Sequence, residues 1–392
     1  MHILTINSGS SSVKVALYEM GEGEKLVLAG SMERIGQRAG VFRMQDSSGK
    51  SLIDEHTDLP NHQTALSRLF DWLEEHEPER NLDAVGHRVV HGGPNYNRPH
   101  EITPTLLDEL RQLVFLAPDH LPQEIKAIQA ISRTYPGLPQ VACFDTAFHR
   151  HMPKLAQIYA LPRHYQHEGV VRFGFHGLSY EYILQELREQ AGDEVANGRV
   201  VIAHLGNGAS MAAVRQGKGV DTTMGFTPAG GLVMSTRTGD LDPGVLVYLL
   251  EEKGLPASGL NDLLNQRAGL LGVSGISSNM KDLLDKEESE PHAREAVDLF
   301  CYIASKHLGA LVAVLGGLET LIFTAGIGEN APTVRQRICQ NMSFLGLHID
   351  EQRNAENAAV ISPENNAVTV RVMKTDEDLM IARHTHALIR DK

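Results

Sequence analysis

The 392-residue chain is 42% hydrophobic, long enough for two domains with substantial cores. Its formal net charge of -13, with Lys and Arg scattered and no basic tract, argues against nucleic acid or an anionic membrane as a partner. Cys143, Cys301 and Cys339 form an odd set without CxxC spacing, each in an apolar or helix-like context, which predicts buried reduced thiols and a cytoplasmic protein.

The opening MHILTIN lacks the basic-then-apolar pattern of a leader. HILTI and VKVALY read as strands, with the small polar run INSGSSS between them. Small residues in a tight turn let main-chain N–H groups approach a phosphate, hydroxyls add donors, and Lys14 supplies positive charge. Ser10, Ser12 and Lys14 alternate, so their side chains share one face; an exposed hairpin with a polar side is the ordinary alternative. Leu66, Leu69, Phe70 and Leu73 at helical spacing predict an amphipathic helix, and AVGHRVV and QVACF predict further strands. The alternation predicts an α/β protein.

Residues 200–214, VVIAHLGNGASMAAV, repeat the opening: an apolar strand, a turn of Gly, Asn and Ser, and a second strand. This echo near the midpoint predicts a second half built like the first, with Gly206, Asn207 and Gly208 forming its turn. The acidic run DKEESEP at 285–291 reads as a solvated loop, and LGALVAVLGG near residue 310 is too short to span a bilayer. TAGIGEN at 324–330 follows the apolar LIF and precedes a helix-like segment near Pro332, a third glycine turn suited to a nucleotide. GxxxxGK and GxGxxG are absent, which excludes the P-loop and Rossmann fingerprints. The pairs His149/His151 and His384/His386 lack Cys or carboxylate partners at ligand spacing and read as surface histidines.

INSGSSSVK, GHRVVHGG, FDTAFH, RFGFHG, HLGNGAS, DTTMGFTP, TRTGDLDPG, TAGIGEN and TDEDLMIAR follow one another along the whole chain, which thereby resembles the acetate and propionate kinase family. The resemblance implies the α/β fold of the actin, sugar kinase and Hsp70 superfamily, with two ribonuclease-H-like domains of duplicated topology flanking an ATP cleft. The first would span 1–147, completed by a closing helix 378–392; the second, 148–377, would carry nucleotide loops and a dimer interface. The implied activity is reversible phosphoryl transfer from ATP to acetate, giving acetyl phosphate and ADP, with Mg2+ or Mn2+, in a homodimer. A carboxylate nucleophile is already ionised at neutral pH, so cationic residues should dominate the site.

By the same resemblance, Arg88 binds the carboxylate and the migrating phosphoryl, a task suited to the planar guanidinium fork. Arg237 and His176 would join it around the transition state, and His120 would contact the transferring group. Asp145, which ends VACF at the mouth of an expected central strand, would orient Arg88 and a hydrated metal; a helix N-cap is its plain reading. Val90, Phe175 and Pro228 would wall a small apolar pocket for the acid. The nucleotide would be held by Ser10, Ser12 and Lys14, by His204, Leu205, Gly206, Asn207 and Gly208, by Asn279, Met280 and Lys281, and by Gly326, Ile327, Gly328, Glu329 and Asn330. Asn7 and Glu377 match the metal positions, oxygen donors such as magnesium prefers, although Glu377 also reads as a first-turn helix acid.

The chain departs from the family pattern in three places. Asp119 replaces a pocket leucine before His120, and a carboxylate there would repel an anionic acid and welcome a hydroxyl. Ala229, Gly230 and Gly231 with Ser235 predict greater backbone freedom near Arg237. Asn279 and Lys281 replace Asp and Arg, keeping hydrogen bonds to a ribose but losing stacking on a base. The alternatives are therefore a kinase of propionate or a short hydroxy acid, or one with a non-ATP donor. A non-catalytic actin-like ATP-binding protein is the reading from another class, and it would not need Arg88, His176 and Arg237 together.

Overall fold

The computed structural model describes residues 1–9, 11–77 and 81–390. Ser10, a predicted phosphate contact, lies outside them. The chain divides into two compact units, Met1–Phe148 with Asp376–Lys392, and His149–Thr375.

The first unit is built on eight strands: β1 (His2–Ser8), β2 (Ser12–Met20), β3 (Glu24–Glu33), β4 (Gly40–Asp46), β5 (Ser51–Thr57), β6 (Ala84–Val89), β7 (His100–Glu101) and β8 (Gln140–Phe144). Their order is β5-β4-β3-β2-β1-β6-β8-β7. β1 to β5 pair antiparallel in succession, while β1, β6 and β8 run parallel. Because successive side chains of a strand face opposite ways, both faces of β1 and β2 can be buried at once. Leu4, Ile6, Val13, Val15 and Leu17 pack with Leu66, Leu69, Phe70 and Trp72 of helix His62–His76 and with Ala127 and Ile131 of helix Leu121–Thr134. Ile3, Ala16, Tyr18 and Met20 pack with Ala382 of the closing helix Glu377–Arg390.

The second unit contains β9 (Arg199–Leu205), β10 (Ala209–Arg215), β11 (Lys218–Thr222), β12 (Thr320–Thr324) and β13 (Thr369–Val372), in the order β11-β10-β9-β12-β13. β11, β10 and β9 pair antiparallel, and β9, β12 and β13 are parallel. The strands β3-β2-β1-β6-β8 of the first unit have the same order and directions. The echo between residues 3–17 and 200–214 is therefore the visible part of a repeated five-strand topology.

Several expectations need correction. QVACF forms β8, which lies next to the short outer strand β7 and is not central. TAGIGEN is not a turn: Ala325–Asn330 form a short helix, with Ala325 at φ +63° and Glu329 Oε1 accepting the Ala325 N–H at 2.8 Å. The acidic run is only partly a loop, since Asp285 and Lys286 end helix Met280–Lys286 and Glu287 accepts from both Nη atoms of Arg337 at 2.8 Å. LGALVAVLGG belongs to helix Pro291–Leu315, which is long and apolar enough by length and composition to cross a membrane. That helix packs on β9, β10 and β11 and buries Val297, Phe300, Ala304, Leu308 and Leu311, as a core helix does. His149 is no surface residue: it is fully buried, its Nε2 lies 2.9 Å from the Phe175 carbonyl oxygen, and burial pushes its pKa down to about 4. His151 is exposed, while His384 and His386 are half-buried. Cys143, Cys301 and Cys339 are unbridged and buried.

Candidate active site

In the first unit, the parallel strands β1, β6 and β8 deliver Asn7, Arg88 and Asp145 to the same end of the sheet. The Arg88 guanidinium donates from Nε to both oxygens of Asp145 at 3.0 and 3.1 Å, and from Nη2 at 2.5 Å. Its Nη1 donates to Asn7 Oδ1 at 3.1 Å. Asp145 is wholly buried, whereas the Arg88 side chain keeps 20% of its surface. Burial disfavours the charged guanidinium, but the carboxylates of Asp145 and Glu377 outweigh that cost and hold its pKa above the ordinary value. Asp145 thus serves as an orienter of Arg88.

Glu124 is a residue that the motifs did not single out. It is buried in helix Leu121–Thr134, and its oxygens accept the Val90 N–H at 3.1 and 3.3 Å. Burial pushes its carboxyl up to about 8, against the lowering by the Val90 N–H and Arg88. It ties the β6 end, which carries Arg88 and the buried Val90, to the helix that begins immediately after the half-buried Asp119 and His120. A sequence signal did exist: Glu124 interrupts the apolar stripe Leu121, Ile125 and Ile128.

The first glycine turn is closed by Gly9 N–H donating to the Ser12 carbonyl at 2.7 Å, and His62 Nε2 lies 2.8 Å from the Gly9 carbonyl oxygen. Lys14 is exposed and pairs in register with Asn7. At the start of the closing helix, Asp376, Glu377 and Asp378 gather negative charge. Burial and the two neighbouring carboxylates push Asp378 up to about 6, with Lys14 opposing. Asn7 Oδ1 and the Glu377 carboxylate, which both face Arg88, are oxygen donors of the kind a hard cation takes. Among the described residues no three His, Cys, Asp or Glu converge as a self-sufficient metal cage.

In the second unit, β9 ends at His204 and Leu205, the turn Gly206-Asn207-Gly208 follows, and β10 begins with Ala209 and Ser210. The turn is closed by Gly206 N–H to the Gly208 carbonyl at 3.1 Å. His176 flanks helix Gly177–Ala191 at φ +60° and stacks on His204, with ring centroids 4.1 Å apart. Phe175 beside it is buried. Arg237 is half-buried, and its Nη1 reaches the carbonyl of the half-buried Pro228 at 3.4 Å.

The expected freedom around Arg237 is curtailed at Gly231 and Ser235, whereas a Cβ at Gly230 would meet nothing closer than 3.5 Å. Ser235 donates from N to the Asn207 carbonyl and from Oγ to Asn207 Oδ1, and Ala268 and Leu270 donate to the carbonyls of Thr236 and Met234. Asp240 Oδ1 accepts the Gly231 N–H at 2.7 Å. Gly231 and Gly239 adopt φ of +87° and +71°, and a Cβ at either would strike main-chain atoms at 2.5 to 2.6 Å. These glycines answer close packing, not mobility.

Among the remaining nucleotide candidates, Asn279 is the N-cap of helix Met280–Lys286, its Oδ1 accepting the Lys281 N–H at 2.8 Å. Met280 is buried, whereas Asn279 and Lys281 are exposed. Gly326 and Asn330 are exposed, Ile327 is half-buried and Gly328 is buried. Glu329 Oε1 also accepts the Thr375 N–H at 3.2 Å, linking this short helix to the end of the unit.

A guanidinium held by a buried carboxylate at a strand end of the first unit, and an arginine and two histidines around a glycine turn of the second, are groups of the kind that bind anions. Residues 2–383 match the acetokinase family, and the chain belongs to that family. It is 48% identical to an acetate kinase of Rhodopseudomonas palustris, over 98% of both chains. Among solved structures it is similar to the acetate kinase of Porphyromonas gingivalis (TM-score 0.89, 38% identity, 99% of each chain). It is also similar to a propionate kinase of Francisella tularensis (TM-score 0.93, 33% identity, 98% of this chain and 99% of that one).

Proposed function

We propose that the protein catalyses reversible phosphoryl transfer from ATP to acetate, giving acetyl phosphate and ADP, by direct in-line attack of the carboxylate. The observation that carries this reading is the Arg88 guanidinium held by Asp145 and Asn7 next to buried Val90. It offers a fixed fork for two oxygens of a small acid beside an apolar wall. The acid needs no base, so Asp145 removes no proton; it holds Arg88 in place as charge builds on the phosphoryl group. The reaction draws on both sets of residues. Arg88 and His120 engage the acid and the phosphoryl, and Arg237 and His176 spread its equatorial charge. Phe175 and Pro228 join Val90 in limiting the acid to a short chain. The turns around Ser12 and Lys14, around Gly206 to Gly208, and the helix Ala325–Asn330 take the nucleotide, with Asn279 and Lys281 at its ribose.

Asn7 and Glu377 would hold Mg2+ or Mn2+, with the neighbouring acids favouring a cation there. When bound, such an ion neutralises charge on the phosphates of the nucleotide. A homodimer through the second unit fits helix Pro243–Glu251, which buries no residue and exposes Val245, Val247, Tyr248 and Leu250. Unbridged cysteines fit a reducing cytoplasm.

The test is hydroxamate trapping of acyl phosphate with MgATP across acetate, propionate, butyrate, glycolate and lactate. Preference for acetate supports the proposal. Preference for propionate moves the substrate within the family and leaves Asp119 outside the pocket, whereas preference for a hydroxy acid brings Asp119 into it. Activity only with a donor other than ATP moves the nucleotide assignment, and silence with every acid and donor overturns the proposal.

A further inference from the structure

The first turn of helix Gly177–Ala191 carries Ser179 and Tyr180, both fully buried. Tyr180 Oη lies 2.5 Å from Ser210 Oγ, and Ser210 Oγ lies 2.8 Å from His176 Nδ1. A second chain runs alongside: Thr375 Oγ1 to Ser179 Oγ at 2.8 Å, and Ser179 Oγ to His204 Nδ1 at 2.8 Å. Both imidazoles therefore anchor Nδ1 in the interior. Their other nitrogens face the glycine turn. His176 Nε2 is 3.1 Å from where a Cβ on Gly208 would sit, with Arg237 Nη1 3.6 Å from the same point, and His204 Nε2 is 3.9 Å from the equivalent point at Gly206.

A neutral imidazole has one donor and one acceptor nitrogen, and the partner of one fixes the role of the other. Two stacked rings beside a guanidinium cannot both carry charge without strong repulsion, and a neutral His176 whose Nδ1 accepts a hydrogen bond presents Nε2–H as its donor. A phenol is a stronger proton donor than an alcohol. Tyr180 therefore donates to Ser210, and Ser210 donates to Nδ1 of His176.

We propose that Tyr180 and Ser210 are positioning residues that fix the tautomer of His176, holding its Nε2–H toward the Gly208 turn as the donor to the transferring phosphoryl group. This rests on the phosphoryl-transfer reading above. The sequence did not announce it, because Ser210 and Tyr180 meet only when β10 packs against the start of the helix.

Two-bond proton–nitrogen correlation spectra of uniformly 15N-labelled protein read the tautomer directly, with His176→Gln used to assign the ring. The parent should show His176 protonated on Nε2. Ser210→Ala should yield a mixture of tautomers and lower kcat about tenfold with both KM values unchanged, as loss of an interaction made only in the transition state requires. Tyr180→Phe, which deletes a single oxygen, should change both in the same direction by less, and Ser210→Thr should restore them. A parent ring protonated on Nδ1 would overturn the proposal. So would a Ser210→Ala protein that keeps both the tautomer and kcat, or one whose kcat falls while the tautomer stays. If the parent shows the Nε2–H ring and Ser210→Ala scrambles it, yet no acyl phosphate forms with any acid, the functional reading fails and the tautomer assignment stands.

Discussion

Asp145→Asn is the most informative perturbation of the first unit. The carboxylate is completely buried and grips Arg88 at 2.5 to 3.1 Å. An ion pair at about 4 Å and an effective dielectric of about 20 is worth roughly 4 kcal/mol, and removing one partner of a buried pair costs about 3–5 kcal/mol because the other charge is left unmatched. The substitution should therefore lower unfolding stability by about 3–5 kcal/mol and kcat by roughly a hundredfold, the cost of letting the guanidinium drift by about 1 Å. Trp72, the single tryptophan, lies in the core of this unit, so urea unfolding followed by its fluorescence reports on the right structure. Hydroxamate trapping gives the rate. The double variant Arg88→Met with Asp145→Asn separates the two effects: stability should recover part of the loss, since the guanidinium is no longer left without Asp145 although Glu377 loses its cation, while activity should not. An unfolding midpoint equal to the parent's in Asp145→Asn, or a double variant less stable than the single one, would refute the reasoning.

Four further outcomes are expected. Arg237→Gln should lower kcat by about 10²- to 10³-fold with little change in the unfolding midpoint, because its charge acts mainly in the transition state; near-parental turnover would remove it from the site. Burial holds the Glu124 proton in the folded chain to about pH 8, while the unfolded chain loses it near the ordinary value of 4.5. Parental stability should therefore fall as pH rises between those values, and Glu124→Gln should gain on the parent across that window by on the order of 4 kcal/mol; a constant difference in urea midpoints at pH 5, 6.5 and 8 would contradict it. Gly239→Ala forces a side chain onto φ +71° with a Cβ 2.5 Å from two carbonyl oxygens, so stability should drop by about 1–3 kcal/mol and kcat with it, measured by thermal unfolding and turnover. Asp119→Leu should favour acetate and propionate over glycolate and lactate by about tenfold in kcat/KM; unchanged selectivity would put its carboxylate outside the pocket.

The fold was legible where local pattern and topology coincide. HILTI, VKVALY, AVGHRVV and QVACF all became strands, and the echo at residues 200–214 marked a repeated strand order. Arg88 and Asp145 were singled out through the motifs that carry the family resemblance, and parallel pairing of β6 with β8 brings them side by side. What escaped depends on contacts between distant segments. Glu124 reaches Val90 across 34 positions, and Ser210 lies 30 positions from Tyr180. Gly231 near Arg237 was misread for a related reason: a freed backbone and a backbone that must approach another closely use the same residue, and only the neighbours distinguish them. His149 was misjudged because nothing in HxH spacing says which side of the helical turn Ala147–His151 is covered.

The three cysteines give the protein a property unrelated to turnover. Cys143 lies in β8 of the first unit, while Cys301 and Cys339 lie in helices of the second. All are sealed from solvent, and burial pushes the Cys301 thiol up to about 12 and that of Cys339 higher still. In the native state such thiols are neither ionised nor within reach of an alkylating reagent. Modification must wait for each unit to open. The rate at which iodoacetamide labels each site, read by mass spectrometry, is thus a separate clock for the opening of each half of the molecule.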